Sequence, residues 1–534
     1  MTLFRTAPLF TLLCLTPLLT AQANVHVDAS KPINVITTAS IGVYTDVYDT
    51  GTVQPAVAAY LHAAGISIIA FPGGYGSYPD LYHWYDASGT KYQNFTKQDH
   101  FYPSENNMAH VVPALDKIGS AILTINYGSN LAGTGPGEPA EAAAWVAYMN
   151  GDPASTQVIG KDSSGANWKT VGYWATLRAS APLPTDDGLN MLRANHPKPL
   201  NIKLWQIGNQ VFNNGFYPGN DHRAEEDLHV PYAATEGGAD KRSHNPSLSP
   251  TFYGQRVADF AKAMKAVDPK VWVGATLTTA PIDNFAPDWN PDVLKAGCSS
   301  IDFAAFNWTP DHRNNVDPYN IRDDAATLQA PETEIGSILK EALYDFKKFC
   351  PAGHEPRVAF TQMFPVRWAK IGSRVADGLF AADAMALFVE TGTINTDWSE
   401  LHDDFFLSAS NTPGPAFYGI QMLHLIAFNP GDPLVTTSSS NSLVAAHASL
   451  RNNGTFGVML INKDPGAPVT IKLTIEGANF ALEGTRFDYG ATNFADAKPI
   501  SKSPFTAPST TNFTVTLPPY TITDLIFPKP KTTP

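Results

Sequence analysis

The chain has 534 residues, 43% of them hydrophobic and 11% aromatic, and a formal net charge of −13. This is the composition of a globular protein with a large core, and it excludes a disordered chain. The length accommodates a barrel of about 250 residues or more plus a smaller partner domain, and the acidic balance argues against nucleic acid and anionic membranes as partners.

The first 23 residues read as a secretory leader: Arg5, a Leu-rich run over 9–19, then the small-x-small site Ala21-Gln22-Ala23. The apolar run is too short to span a bilayer and has Pro8 and Pro17 at or near its ends. A secreted or periplasmic location without a membrane anchor is therefore expected. Cleavage removes Cys14 and one charged residue, Arg5, leaving a formal charge of −14 and the cysteines Cys298 and Cys350.

Residues 24–39 alternate loosely (Val25, Val27, Ile33, Val35) and predict a strand that joins a second domain. A strand–helix rhythm then runs over 40–432. Strands are predicted at 40–47, 66–71, 121–127, 202–207, 271–277, 301–308, 358–364 and 393–398. The helices between them fall at 53–64, 108–118, 139–149, 253–267, 291–296, 334–349, 374–391 and 416–428. An insertion at 150–199, with one helix near 174–180, and a long polar loop at 213–250 interrupt the rhythm. Eight alternating pairs imply an α/β fold, a (β/α)8 TIM barrel, with a doubly wound sheet as the alternative. Over 433–528, six short β-rich runs between Gly, Pro and Asn turns predict a C-terminal β-sandwich, followed by a loose tail at 529–534. Cys298 and Cys350 would both lie at the N-terminal face of neighbouring barrel strands, as a disulfide or as two separate thiols.

Barrel chemistry sits at the C-terminal strand ends. The fourth strand ends in Gly208-Asn209-Gln210 and the seventh in Thr361-Gln362, on opposite sides of the mouth. Two carboxylates so placed form a glycosidase pair, retaining at about 5–5.5 Å and inverting at about 6.5–9.5 Å. Both positions here carry Gln.

Trp205-Gln206-Ile207-Gly208-Asn209-Gln210 resembles the W-x-x-G-N-E motif of clan A glycoside hydrolases, the barrel-plus-sandwich group of family 51 α-L-arabinofuranosidases and their relatives in families 39 and 79. Phe71-Pro72-Gly73-Gly74 with Tyr82-His83-Trp84 resembles that group's R-x-P-G-G…Y-x-W element, residues 358–364 (VAFTQMF) its nucleophile strand, and the segment from Asp302-Phe303 to Trp308 its sixth strand. The resemblance implies that Gln210 occupies the acid/base position and Gln362 the nucleophile position. Ala70 stands where the family has Arg, and Asn307 where it usually has His. Asn209 keeps its identity and is expected at a sugar 2-hydroxyl. Tyr82, Asn126, Asn307 and Trp398 complete the expected substrate-binding set, whereas Trp84 and Trp205 are expected in the core. The implied partner is an oligosaccharide or polysaccharide, with no cofactor and no metal.

Gln matches the shape of Glu but has no proton to give and no charge. It cannot protonate a leaving oxygen, a role worth about 10²–10⁴ in rate, nor attack an anomeric carbon. Three accounts stay open: a non-catalytic sugar binder, an enzyme with relocated acids, and an inactivated variant of a normal hydrolase. Substitute acids are Asp221, Glu225 and Glu400, with His222, Glu226, Asp311, His312, His402, Asp403 and Asp404 nearby in sequence. The bland alternative for each is a solvated surface charge. Asp221, His222 and His229 show no metal-ligand spacing.

Overall fold

The computed structural model describes residues 21–46, 48–73, 82–86, 104–130, 135–217, 243–279, 286–310, 324–365, 374–427, 429–490 and 499–531. Asp221, Glu225 and the other loop acids at 222–229 and 311–312 fall outside these. In chain order the elements are β1 (Ala21–Val35), β2 (Ile41–Asp46), α1 (Val57–Ala63), β3 (Ile68–Gly73), α2 (Met108–Ile118), β4 (Ser120–Ile125), α3 (Pro139–Asn150), α4 (Val171–Ala179), β5 (Leu204–Ile207), α5 (Pro250–Val267), β6 (Trp272–Thr276), α6 (Trp289–Gly297), β7 (Phe303–Trp308), α7 (Asp324–Phe349), β8 (Arg357–Met363), α8 (Arg374–Glu390), β9 (Asn395–Ser399) and α9 (Pro415–Ile426). Strands β2 to β9 pair in order, all parallel, and β9 closes on β2 to form the expected eight-stranded barrel.

Side chains alternate across a strand. Tyr44, Ile68, Ile122, Leu204 and Phe303 fill the barrel interior, while Val43, Ile69, Leu123 and Trp205 face the helices. One break in this alternation matters for function. Phe306 of β7 pairs with Phe360, but Asn307 pairs with Gln362, so β8 carries an extra residue there. Such a bulge re-aims the side chains beyond it. From Ala359, which faces inward, strict alternation would turn Gln362 outward; the bulge brings it inward beside Asn307.

Among the helices that begin earlier than expected, α7 and α4 have evident local reasons. Helix α7 begins ten residues before the predicted start at 334 and carries Pro331 inside it. The missing N–H is tolerated there because Thr327, Leu328, Pro331 and Ile335 bury one face. Helix α4, in the insertion, is held by Arg178, whose guanidinium is fully buried. It donates to the carbonyls of Tyr148, Met149 and Gly151 at the C-terminus of α3, and to those of His196 and Pro197.

The C-terminal strands are β10 (Pro433–Ser439), β11 (Val444–Leu450), β12 (Phe456–Asn462), β13 (Val469–Glu476), β14 (Glu483–Gly490), β15 (Ser501–Thr506), β16 (Asn512–Leu517) and β17 (Thr521–Phe527). With β1 they form one sheet of nine strands in the order β15-β14-β17-β12-β11-β10-β1-β13-β16. The sheet folds over into a sandwich, bringing Phe505 and Phe513 of its two edge strands to 5.9 Å between ring centroids. β1 runs parallel to β13 and antiparallel to β10. The prediction lacked β10 and β15, whose polar sequences PLVTTSS and SKSPFT lack a continuous apolar face.

Helix α9 packs against β12 and β17, and an ion cluster spans the same interface. His447 of β11 bonds Asp383 and Glu390 of α8, both at 2.8 Å. Lys463 reaches Asp383 and Glu332 of α7, both at 2.6 Å. Cys298 and Cys350 form a disulfide just before β7 and β8. Among the described residues no helix is long and apolar enough to cross a membrane.

Candidate active site

The site is built from strand ends around the barrel mouth. After β5, Gly208 and Gln210 adopt positive φ values of 69° and 50°. Glycine takes such a conformation freely; for Gln it is strained, and strain of this kind gathers at functional sites. The turn projects Gln210 toward β8, where its Nε2 donates to Gln362 Oε1 at 3.0 Å. The two positions implied by resemblance thus touch directly.

Their neighbours are also neutral. Asn307 Nδ2 donates to the same Gln362 oxygen at 3.0 Å, and Gln362 Nε2 donates to Ser399 Oγ at 3.2 Å. On the other side Asn213 Nδ2 donates to Gln210 Oε1 at 3.2 Å. Asn209 is buried and donates to the Tyr44 hydroxyl at 3.4 Å, so β2 and the end of β5 meet inside the barrel. Gln362 is only 7% exposed, whereas Gln210 is half-buried on the solvent side.

Other expected site residues lie elsewhere. Trp398 is fully buried; it faces outward against Phe380 of α8 and donates its indole N–H to Asp403. The alternation of β9 gives the mouth to Ser399 instead. Tyr82 is buried with its hydroxyl on the Asn106 carbonyl and its ring against Phe71 and Trp145. Neither ring is placed to stack on a sugar. Trp84 and Trp205 are core residues. Asn126 lies just past β4, but its amide engages His83 at 3.1 Å and the Ser129 N–H. His83 in turn contacts Glu141 at 2.7 Å, and burial raises the Glu141 carboxyl.

Of the substitute acids, Glu400 lies within the described residues, directly after Ser399. The reading from sequence missed Asp46, the last residue of β2 and two positions beyond inward-facing Tyr44. Burial, reinforced by the charges of Glu400 and Asp49, pushes the Asp46 carboxyl up to about 6 against the opposing Tyr48 N–H. Period-two alternation through Tyr44 and Asp46 was the signal available. The nearby rim groups are engaged as framework. Asp403 accepts N–H bonds from Trp398, Glu400, Phe405 and Phe406. His402 bridges Asp49 at 2.6 Å and Asn411 at 2.8 Å; burial pulls the imidazole down, but these partners hold it above its usual range. One inward step below Ser399, burial raises Asp397 to about 8 against the opposing Asn395 amide. Among the described residues no cluster of three His, Cys, Asp or Glu groups is arranged to hold a metal ion.

No protein-family model matches the chain, and no curated protein matches it by sequence. Solved structures do. The α-L-arabinofuranosidase of Thermotoga maritima, in an arabinose complex, aligns over 95% of this chain and 99% of its own, with a TM-score of 0.64 and 18% identity. A family 51 α-L-arabinofuranosidase from Bifidobacterium longum aligns over 95% of this chain and all of its own, with a TM-score of 0.66 and 15% identity. A family 44 endoglucanase from Clostridium thermocellum gives 0.59 and 16% over 95% of this chain and all of its own. At these identities the shared property is the fold: a TIM barrel followed by a β-sandwich.

Proposed function

We propose that the protein is a secreted or periplasmic carbohydrate-binding relative of the glycoside hydrolases that does not carry out double displacement. Its ligand would be a plant or microbial glycan fragment, including arabinofuranose. The observation that carries this reading is the Gln210–Gln362 hydrogen bond of 3.0 Å within a network of neutral side chains. A site with no proton donor and no anion at the two flanking positions offers shape and hydrogen bonds but no general acid and no nucleophile. The leader sequence and the disulfide support an oxidising compartment.

A second reading, hydrolysis by relocated acids, draws on Asp46 and Glu400 at adjacent strand ends, with Asp46 near 6 and suited to proton transfer. One experiment separates the two. Nitrophenyl glycosides of arabinofuranose, xylose and glucose are assayed for release, with binding of the parent sugars followed by calorimetry. Binding without release supports the first reading. Release that Asp46→Asn or Glu400→Gln abolishes replaces it with the second.

A further inference from the structure

The hydrogen-bond pattern across the mouth points to a more specific ligand, provided that the sugar-binding reading holds. Gln362 Oε1 faces the gap as an acceptor; its orientation is set by Asn307 Nδ2 on the same oxygen and by Ser399 Oγ on its Nε2. Gln210 faces the gap as a donor, its own oxygen being held by Asn213. Exchanging the O and N ends of both amides still leaves one donor facing one acceptor.

A ligand atom entering between them must accept from one amide and donate to the other. A hydroxyl does both. A glycosidic oxygen has no proton and leaves the Gln362 carbonyl facing a lone pair; a carboxylate has the same defect. We propose that the Gln210–Gln362 pair selects ligands with a free hydroxyl at this position, namely reducing sugars and polyols, over the corresponding glycosides. The geometry fits. Two hydroxyl hydrogen bonds of about 2.8 Å span about 5 Å, so insertion opens the 3.0 Å contact by about 2 Å to the spacing of a retaining pair. Gln210, half-buried at the end of a short strand, is the side that gives way.

Isothermal titration of the full-length protein with matched pairs tests this: L-arabinose against methyl α-L-arabinofuranoside, and D-xylose against methyl β-D-xylopyranoside, with arabitol as a polyol. The free sugars are expected to bind about tenfold more tightly than their glycosides. Gln210→Met, which removes the donor, should bring the ratio close to one. Equal affinities within each pair for the unmodified protein would overturn the hydroxyl bridge while leaving sugar binding intact. Absence of heat with every sugar would overturn both readings.

Discussion

Replacing Gln210 and Gln362 together by Glu places two carboxyl groups where the amides now meet at 3.0 Å. At that distance and an effective dielectric of about 20, two charges repel by about 5 kcal/mol, and relaxation to about 5 Å leaves about 3 kcal/mol. These energies correspond to splittings of about four and about two and a half pH units. The pair must then hold one proton well above the ordinary Glu range and titrate in two macroscopic steps. The anion belongs at 362, where Asn307 Nδ2 and the Ser399 hydroxyl can both donate; residue 210 has Asn213. That leaves an acid at 210 and a nucleophile at 362. Carbon-13 titration of labelled Glu is expected to show the split. 4-Nitrophenyl α-L-arabinofuranoside should be hydrolysed with a bell-shaped pH profile, at least about 10²-fold above either single variant. A folded double variant whose carboxyls titrate within one pH unit of each other would refute the reasoning.

Arg178→Met leaves five backbone carbonyls without their buried donor, and denaturant unfolding should show a loss of about 3 kcal/mol or more. The interface cluster gives a pH dependence. Burial lowers His447, but Glu390 and Asp383 outweigh it and raise the folded imidazole to about 10 from 6.5. The stability it contributes is complete below pH 6.5 and is lost as pH rises toward 10. Burial and the Asp383 charge raise Glu332 from 4.5 to about 7, which acts in the same direction between those values. Thermal midpoints should therefore fall on the alkaline side, and His447→Gln should flatten that slope between pH 7 and 10. Cys298 and Cys350 close a loop with a sequence separation of 52, for which chain entropy predicts about 4 kcal/mol. Cys298→Ala with Cys350→Ala should lower stability by up to that amount while the sugar binding proposed for the opposite end of the barrel persists.

The barrel was legible because its strands and helices repeat with clear periods and Gly or Pro stops; α2, for example, spans the residues its pattern predicts. Strands β10 and β15 were not, since a Ser/Thr-rich strand and an exposed edge strand with Pro504 show no alternation. Within the site, Gln210 and Gln362 stood out by motif. That they face each other depends on the bulge at Thr361, a register shift that propensity does not signal. Trp398 was misplaced because an aromatic near a strand end suggests sugar stacking, whereas its parity with Asn395, Asp397 and Ser399 puts it outside. The pairing of His447 and Lys463 with Asp383 joins residues more than sixty positions apart, and only the packed fold brings them together.

Charge also explains why the mouth closes on itself. In a retaining pair, mutual repulsion helps to keep the two carboxylates about 5–5.5 Å apart. Amides at the same two positions present complementary ends and attract. With two amides no such repulsion acts, and the side chains rest on a hydrogen bond worth about 1 kcal/mol. A ligand hydroxyl that reopens the gap loses this one bond and makes two, so opening does not oppose binding. An ether oxygen makes one and turns a lone pair toward the Gln362 carbonyl, which then keeps only Asn307 Nδ2. On the proposed reading, the amides at 210 and 362 thus give the mouth a means of distinguishing a free sugar hydroxyl from a glycosidic oxygen.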